Sequence, residues 1–180
     1  MALDAEYEFE NYSATKLQNT EGVELNGWMM KPANFDATKK YPVIMHQYSG
    51  PGSQQVLDRW GIGSFRDAGM FEAYMADRGY ISVCVDGRGT GGRGAEFEKC
   101  TYLFLGVKES HDQVEAAKYL GTLPYVDGSR IGIWGWSFGG YNRSSYCRSY
   151  RLALLRLGLH RTFHAYTERK RRWIRCRFSY

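Results

Sequence analysis

No apolar run in this 180-residue chain approaches the roughly 20 residues needed to span a bilayer. The opening MALDAEYEFENYSATK lacks the basic-then-apolar order of a secretory signal. As written, the chain is expected to stay in the cytoplasm, with no membrane segment. Cysteine is sparse. Cys84, Cys100, Cys147 and Cys176 stand far apart with no C-x-x-C pair, so neither a zinc site nor a disulfide framework is expected. No cofactor is expected either. Carboxylates are nearly missing from one end of the chain: from Asn142 onward, Glu168 alone faces ten arginines and Lys170, a net +10 over the last 39 residues. Up to Tyr141 the balance is reversed, with 13 Lys and Arg against 18 Asp and Glu, a net −5. The formal +5 of the whole therefore conceals two compositions joined near Asn142.

With 43% hydrophobic residues the chain can bury one core, and one domain is expected. Its first part alternates strand and helix patterns, the signature of a mostly parallel sheet flanked by helices. Glu24 to Met30 reads as an early strand. Val43-Ile44-Met45 reads as a buried strand that empties into the loop QYSGPGSQQ. GMFEAYMADRG spaces Phe71, Tyr74 and Met75 as on a helix, with Gly79 placed to end it. A further strand, Tyr80 to Val85, leads into DGRGTGGRG, too glycine-rich for regular structure. That loop lacks the spacings of a phosphate cradle, so Asp86 and Arg88 are expected to brace the neighbouring loops. Ser110 with Gln113 predicts a capped helix start, carrying Val114, Ala117 and Leu120 on one face. Asp127-Gly128 reads as a turn, and Arg130 to Trp134 as the last clear strand.

That strand runs into Gly135-Trp136-Ser137-Phe138-Gly139, a G-x-S-x-G sequence. A serine at the tip of a sharp strand-to-helix turn needs small residues two positions before and after it. The turn exposes its hydroxyl and aims the next backbone N–H, here that of Phe138, at a developing oxyanion. The strand before the motif and the Gly140-Tyr141 helix start after it favour this nucleophile elbow over an ordinary Gly-Ser turn.

Four segments, QYSGPGSQQ, VCVDGRGTGGRG, HDQVEAAKYL and IGIWGWSFGGY, stand in the order and spacing of the catalytic domain of dipeptidyl peptidase IV-like serine peptidases. Over roughly Glu24 to Tyr141 the chain thus resembles the prolyl oligopeptidase family. The resemblance implies an α/β-hydrolase fold and a serine-type peptidase with a peptide substrate and frequent homodimers. Ser137 would be the nucleophile. Tyr48 would complete the oxyanion hole beside the Phe138 amide; read without the family, Tyr48 is better explained as a core tyrosine at a strand end. His46 and His111 match no catalytic position of the family, and surface or supporting roles are expected for them.

The resemblance stops near Tyr141. The α/β-hydrolase order is serine, acid, histidine, whereas here His160 and His164 precede Glu168. Residues 1–141 are therefore expected to form a partial hydrolase domain, truncated after the nucleophile strand, with Ile131, Ile133 and Trp134 along an unprotected edge. Residues 142–180 are expected to be a basic tail that is non-native or disordered, its composition that of a shifted reading frame, and the chain an inactive fragment. Two other readings stay open: a related esterase or acylaminoacyl peptidase, and a polyanion-binding protein acting through the arginines. No specific nucleic-acid fold is expected, since none of the binding motifs is present.

Overall fold

The computed structural model describes residues 12–57, 69–135, 137–142, 165–167 and 172–174. Five strands build one sheet: β1 (Tyr12–Gln18), β2 (Glu24–Met30), β3 (Tyr41–His46), β4 (Ile81–Asp86) and β5 (Val126–Trp134). Their spatial order is β1-β2-β4-β3-β5. The described helices are α1 (Met70–Asp77), α2 (Ala95–Lys99) and α3 (Val107–Thr122), with a helical turn at 138–142. A separate antiparallel ladder joins β6 (Ala165–Thr167) to β7 (Arg172–Ile174).

The mostly parallel sheet expected from the sequence is a mixed one. β3 lies parallel to β4 and β5, but β2 is antiparallel to both β1 and β4. The cause is local. β1 and β2 are joined by a tight turn in which the Asn19 side-chain oxygen accepts from the amides of Glu21 (3.0 Å) and Val23 (2.9 Å), while Gly22 adopts φ +80°. A connection that short can only reverse the chain.

β4 is buried at all six positions, as a strand covered on both faces requires. On one face Val43, Met45, Val83, Ile131 and Ile133 meet Val114, Ala117 and Leu120 of α3 in the main core. On the other, Trp28 and Cys84, direct partners in the ladder, pack with Val56 and Leu57. β5 pairs on one side only among the described residues. Its Ile131 and Ile133 are nevertheless buried, so the edge is an edge of backbone rather than of bare apolar side chains.

Three local expectations need adjustment. α3 begins at Val107, not Ser110: the buried Glu109 side chain reaches back to accept from the Gly106 amide at 2.9 Å, so it and not Ser110 ties down the first turn. In α1 the buried positions are Glu72 and Ala76, and Tyr74 is exposed. Asp127-Gly128 does turn, but inside β5. The register jumps from Tyr41↔Val126 to Val43↔Ile131, and the extra residues are gathered by the Asp127 carboxylate, which accepts from the Ser129 amide and the Arg130 side chain. Gly79 lies just past α1 at φ +78°, as expected of a helix stop.

Candidate active site

Because β3 and β5 are adjacent and parallel, with His46 paired to Trp134, their carboxyl ends release two loops side by side. β4 releases a third next to them at Asp86. Such convergence at strand carboxyl ends is where open α/β sheets build sites.

The loop after β5 carries the serine. Ser137 is exposed and sits at φ +53°, a left-handed conformation rare for a residue with a side chain. The chain then turns into helix, and the Tyr141 amide donates to the Ser137 carbonyl at 3.1 Å. The flanking glycines are needed because of a neighbour. A Cβ on Gly135 or on Gly139 would collide with the same atom, the backbone carbonyl oxygen of Gln47, and at Gly139 would also come within 3.2 Å of the Tyr48 Cα. The elbow is thus closed around the start of the loop after β3. Trp136 lies outside the described residues.

The loop after β3 carries Tyr48. Its half-buried ring lies 6.4 Å from that of Phe138, centroid to centroid. Ser49 follows at φ +56°, and Gly50 lies so close under the Tyr48 ring that a Cβ there would touch Cε1 at 2.5 Å. The turn is closed by Ser53, whose amide and hydroxyl both donate to the Gly50 carbonyl, at 3.0 and 2.6 Å. Ser137, Phe138 and Tyr48, expected to act together, therefore stand on two loops in contact.

The third loop holds the second in place. Asp86 Oδ2 accepts from the amides of Gln55 (2.8 Å) and Val56 (2.7 Å), pinning the far end of the Tyr48 loop. Burial pushes this carboxyl up to about 6, against the opposing pull of those two amides. The Gly91 amide donates to the Ser53 carbonyl at 2.8 Å, adding a second tie. Arg88 anchors the loop to α3. Its Nη2 and Nε donate to Asp112 Oδ1 at 2.7 Å and Oδ2 at 3.0 Å, and its Nη1 to Glu21 at 2.5 Å. Burial opposes the guanidinium charge, but the hydrogen bonds and charges of Asp112 and Glu21 outweigh it and hold the Arg88 pKa above its usual value. The bracing expected of Asp86 and Arg88 thus has named partners.

Several of those partners carry no signal in the sequence. Asp112 and Gln113 lie within a recognisable helix segment, yet only the folded chain shows that Asp112 is fully buried against Arg88 and that Gln113 donates to the Val85 carbonyl at 2.8 Å. Gln47 opens the recognisable QYSGPGSQQ segment, but its partners, like those of Asn19 and Glu21, appear only in the folded chain. His46 is no surface residue: it is 3% exposed, its ring packs 4.9 Å from that of Trp134, and burial pulls its pKa down to about 4, leaving it neutral. His111 is half-buried with Nδ1 3.3 Å from Arg88 Nη2, a supporting place beside the loop anchor. His160, His164 and Glu168 lie outside the described residues. Among the described residues no helix is long and apolar enough to cross a membrane, and no group of three His, Cys, Asp or Glu could hold a metal ion. Cys84 and Cys100 are free thiols, and burial raises the Cys84 pKa.

Residues 69–149 match the prolyl oligopeptidase family. The protein named "Probable dipeptidyl-aminopeptidase B" from Chaetomium globosum is 49% identical over 69% of this chain, and its namesake from Arthroderma benhamiae is 48% identical over 68%. This chain spans about 13% of the length of each. The crystal structure of Porphyromonas gingivalis dipeptidyl peptidase 4 superposes on 76% of this chain and 19% of its own, at 54% identity and a TM-score of 0.69. The mixed sheet, the serine on its strained turn and these likenesses agree with one another: the chain has an α/β-hydrolase fold and belongs to the prolyl oligopeptidase family.

Proposed function

We propose that the chain carries the nucleophile and oxyanion-binding half of a dipeptidyl peptidase-type serine hydrolase, acting on peptides by acyl transfer. The observation that carries this reading is Ser137, exposed at φ +53° between two glycines that admit no side chain. Strain at one exposed hydroxyl-bearing residue, kept by close packing on both sides, is how a fold presents a nucleophile. Ser137 Oγ attacks the scissile carbonyl. The oxyanion that forms is met by the Tyr48 hydroxyl and the Phe138 N–H, two donors from two braced loops. Collapse expels the amine and leaves an acyl group on Ser137, which water then removes. The QYSGP loop carrying Tyr48 favours the dipeptidyl peptidase branch over an esterase or acylaminoacyl peptidase.

Attack also requires a base for the Ser137 proton. Neither described histidine suits that role, since His46 is buried against Trp134 and His111 is engaged beside Arg88. The residues after Ser137 offer His160 and His164 before Glu168, the reverse of the order this fold uses. The chain by itself is therefore assigned slow acylation and no efficient turnover, because removing triad members costs several powers of ten in rate. The abrupt change to arginine-rich, carboxylate-poor sequence near Asn142 is assigned to a shifted reading frame. Reading the coding DNA beyond codon 141 in the other two frames should restore an acid followed by a histidine; finding neither would refute that part.

The functional reading is tested with a phosphonyl fluoride. Slow labelling of one equivalent, mapped to Ser137 by peptide mass and absent from Ser137→Ala, is expected, alongside no hydrolysis of Xaa-Pro nitroanilides. Labelling spread over other residues, or unchanged by the substitution, would contradict it.

A further inference from the structure

The residue that ties the two site loops together is Gln47, which neither touches a substrate position nor belongs to the G-x-S-x-G motif. It is 1% exposed and is held to the serine loop through three of its own groups. Its backbone N–H donates to the Trp134 carbonyl at 3.1 Å, just before the elbow. Its side-chain Nε2 donates to the Gly139 carbonyl at 2.5 Å, just after it. Its own carbonyl oxygen fills the space that a Cβ at Gly135 or Gly139 would need. The next residue is Tyr48. A hydrogen bond from a fully buried glutamine to a helix-start carbonyl, with the partner Oε1 left without a hydrogen bond, is a costly arrangement to keep for packing alone. An apolar side chain of the same length would fill that space and remove the unsatisfied Oε1, at the cost of the Gly139 carbonyl losing this donor.

We propose that Gln47 is a positioning residue: its side chain clips the Gly139 end of the elbow to the backbone immediately preceding Tyr48, and so fixes the Tyr48 hydroxyl relative to Ser137 Oγ. The inference rests on the reading of Ser137 and Tyr48 as nucleophile and oxyanion donor. Both ends of the clip are buried, so it helps set the spacing of two loops that, among the described residues, also meet through the Gln47 N–H on the Trp134 carbonyl, the Gln47 carbonyl packed on Gly135 and Gly139, and the Tyr48 and Phe138 rings. Loss of the clip leaves each loop its own ties and keeps the Gln47 N–H on the Trp134 carbonyl before the elbow, but frees the Gly139 side of the elbow to shift against Tyr48. An oxyanion donor displaced by even a fraction of an ångström loses much of its effect.

The test uses the full chain and phenylboronic acid, followed by boron NMR. Ser137 Oγ adds to the trigonal boron, which accepts the oxygen electron pair and becomes a tetrahedral anion, while the hydroxyl proton passes to buffer. No oxidation or reduction occurs, and turnover is not needed. Ser137→Ala should abolish the tetrahedral signal, and Tyr48→Phe should weaken association about tenfold, the low end for one hydrogen bond to a bound anion and less than its effect on a rate. Gln47→Met, of equal length but without a donor, should weaken it about tenfold with Tyr48 present and less than about twofold in the Tyr48→Phe background. That dependence separates positioning from stability, because a merely structural residue would cost the same in both backgrounds. An equal loss in both, or no loss in either, overturns the inference while leaving the Ser137 and Tyr48 reading intact. A wild-type chain with no Ser137-dependent adduct overturns both. Gln47→Glu, which keeps the length and places a carboxylate oxygen against the Gly139 carbonyl, is read in the same cycle should the methionine variant fail to melt cooperatively. In the wild type, the Gln47 side-chain amide protons should shift on adduct formation, and their standing still would count against the clip without any variant.

Discussion

Single residues settle how tightly the site is specified. Gly135 and Gly139 are often explained by the flexibility that a sharp turn demands, but the binding constraint here is space. Each would drive a Cβ into the Gln47 carbonyl, a backbone atom that cannot rotate away. Gly135→Ala should therefore cost at least about 2 kcal/mol in chemical denaturation, as overpacking against backbone does. Gly79→Ala meets open space at φ +78° and should cost only about 1 kcal/mol, the strain of its conformation. Equal costs would mean that the elbow is looser than drawn. Asp86 sets a pH dependence of definite sign. Its folded-state pKa of about 6 lies above the ordinary 3.8, so the folded chain prefers the protonated carboxyl. The stability this supplies is complete below pH 4 and is lost as pH rises through about 6, a change of about 3 kcal/mol at most. Asp86→Asn keeps the acceptor oxygen for Gln55 and Val56 and removes the titration. Denaturation at pH 5 and pH 8 should show a smaller fall in the variant than in the wild type; an identical fall would show that Asp86 does not carry the effect.

At the scale of elements, the loops are held from behind by helix and strand ends, and the anchor of greatest consequence is Arg88 on Asp112. Both side chains are almost wholly buried, so removing Asp112 leaves the buried guanidinium only the half-exposed Glu21. Asp112→Ala should cost about 3–5 kcal/mol, whereas Arg88→Met with Asp112→Leu should recover most of that loss. A double variant as unstable as the single one would place the anchor's value in geometry rather than charge. The same scale shows what sequence can and cannot convey. β3, β4 and the end of β5 at residues 130–134 are legible because each is an apolar or β-branched run bounded by glycine, proline or charge, and the elbow because its spacing is sterically dictated. β1 is not, since YSATKLQ has few apolar residues and becomes a strand by pairing with β2. The antiparallel half of the sheet was hidden with it. The start of α3 lies before the Ser110 and Gln113 pattern because Glu109, a buried carboxylate, supplies the tie to the Gly106 amide. The partnerships of Gln47 with Gly139 and of Arg88 with Asp112 span 92 and 24 residues, and nothing local in the chain announces either.

The whole molecule joins two unlike parts. Among the described residues of the acidic first 141, apolar pattern, core and elbow point to one fold, which is the mark of a selected sequence. The last 39 residues share neither that charge nor that patterning. On the proposed reading the described residues supply a nucleophile and oxyanion donors while neither described histidine serves as the base, so acylation and turnover should separate in experiment. The most direct measurement is the rate of a single acylation by para-nitrophenyl acetate, followed by nitrophenolate release with the acetyl group located by peptide mass. The account predicts one slow equivalent on Ser137, none in Ser137→Ala, and a rate lowered about a hundredfold by Tyr48→Phe through loss of one oxyanion donor. Acetylation that survives Ser137→Ala, or a Tyr48→Phe rate equal to wild type, would contradict it.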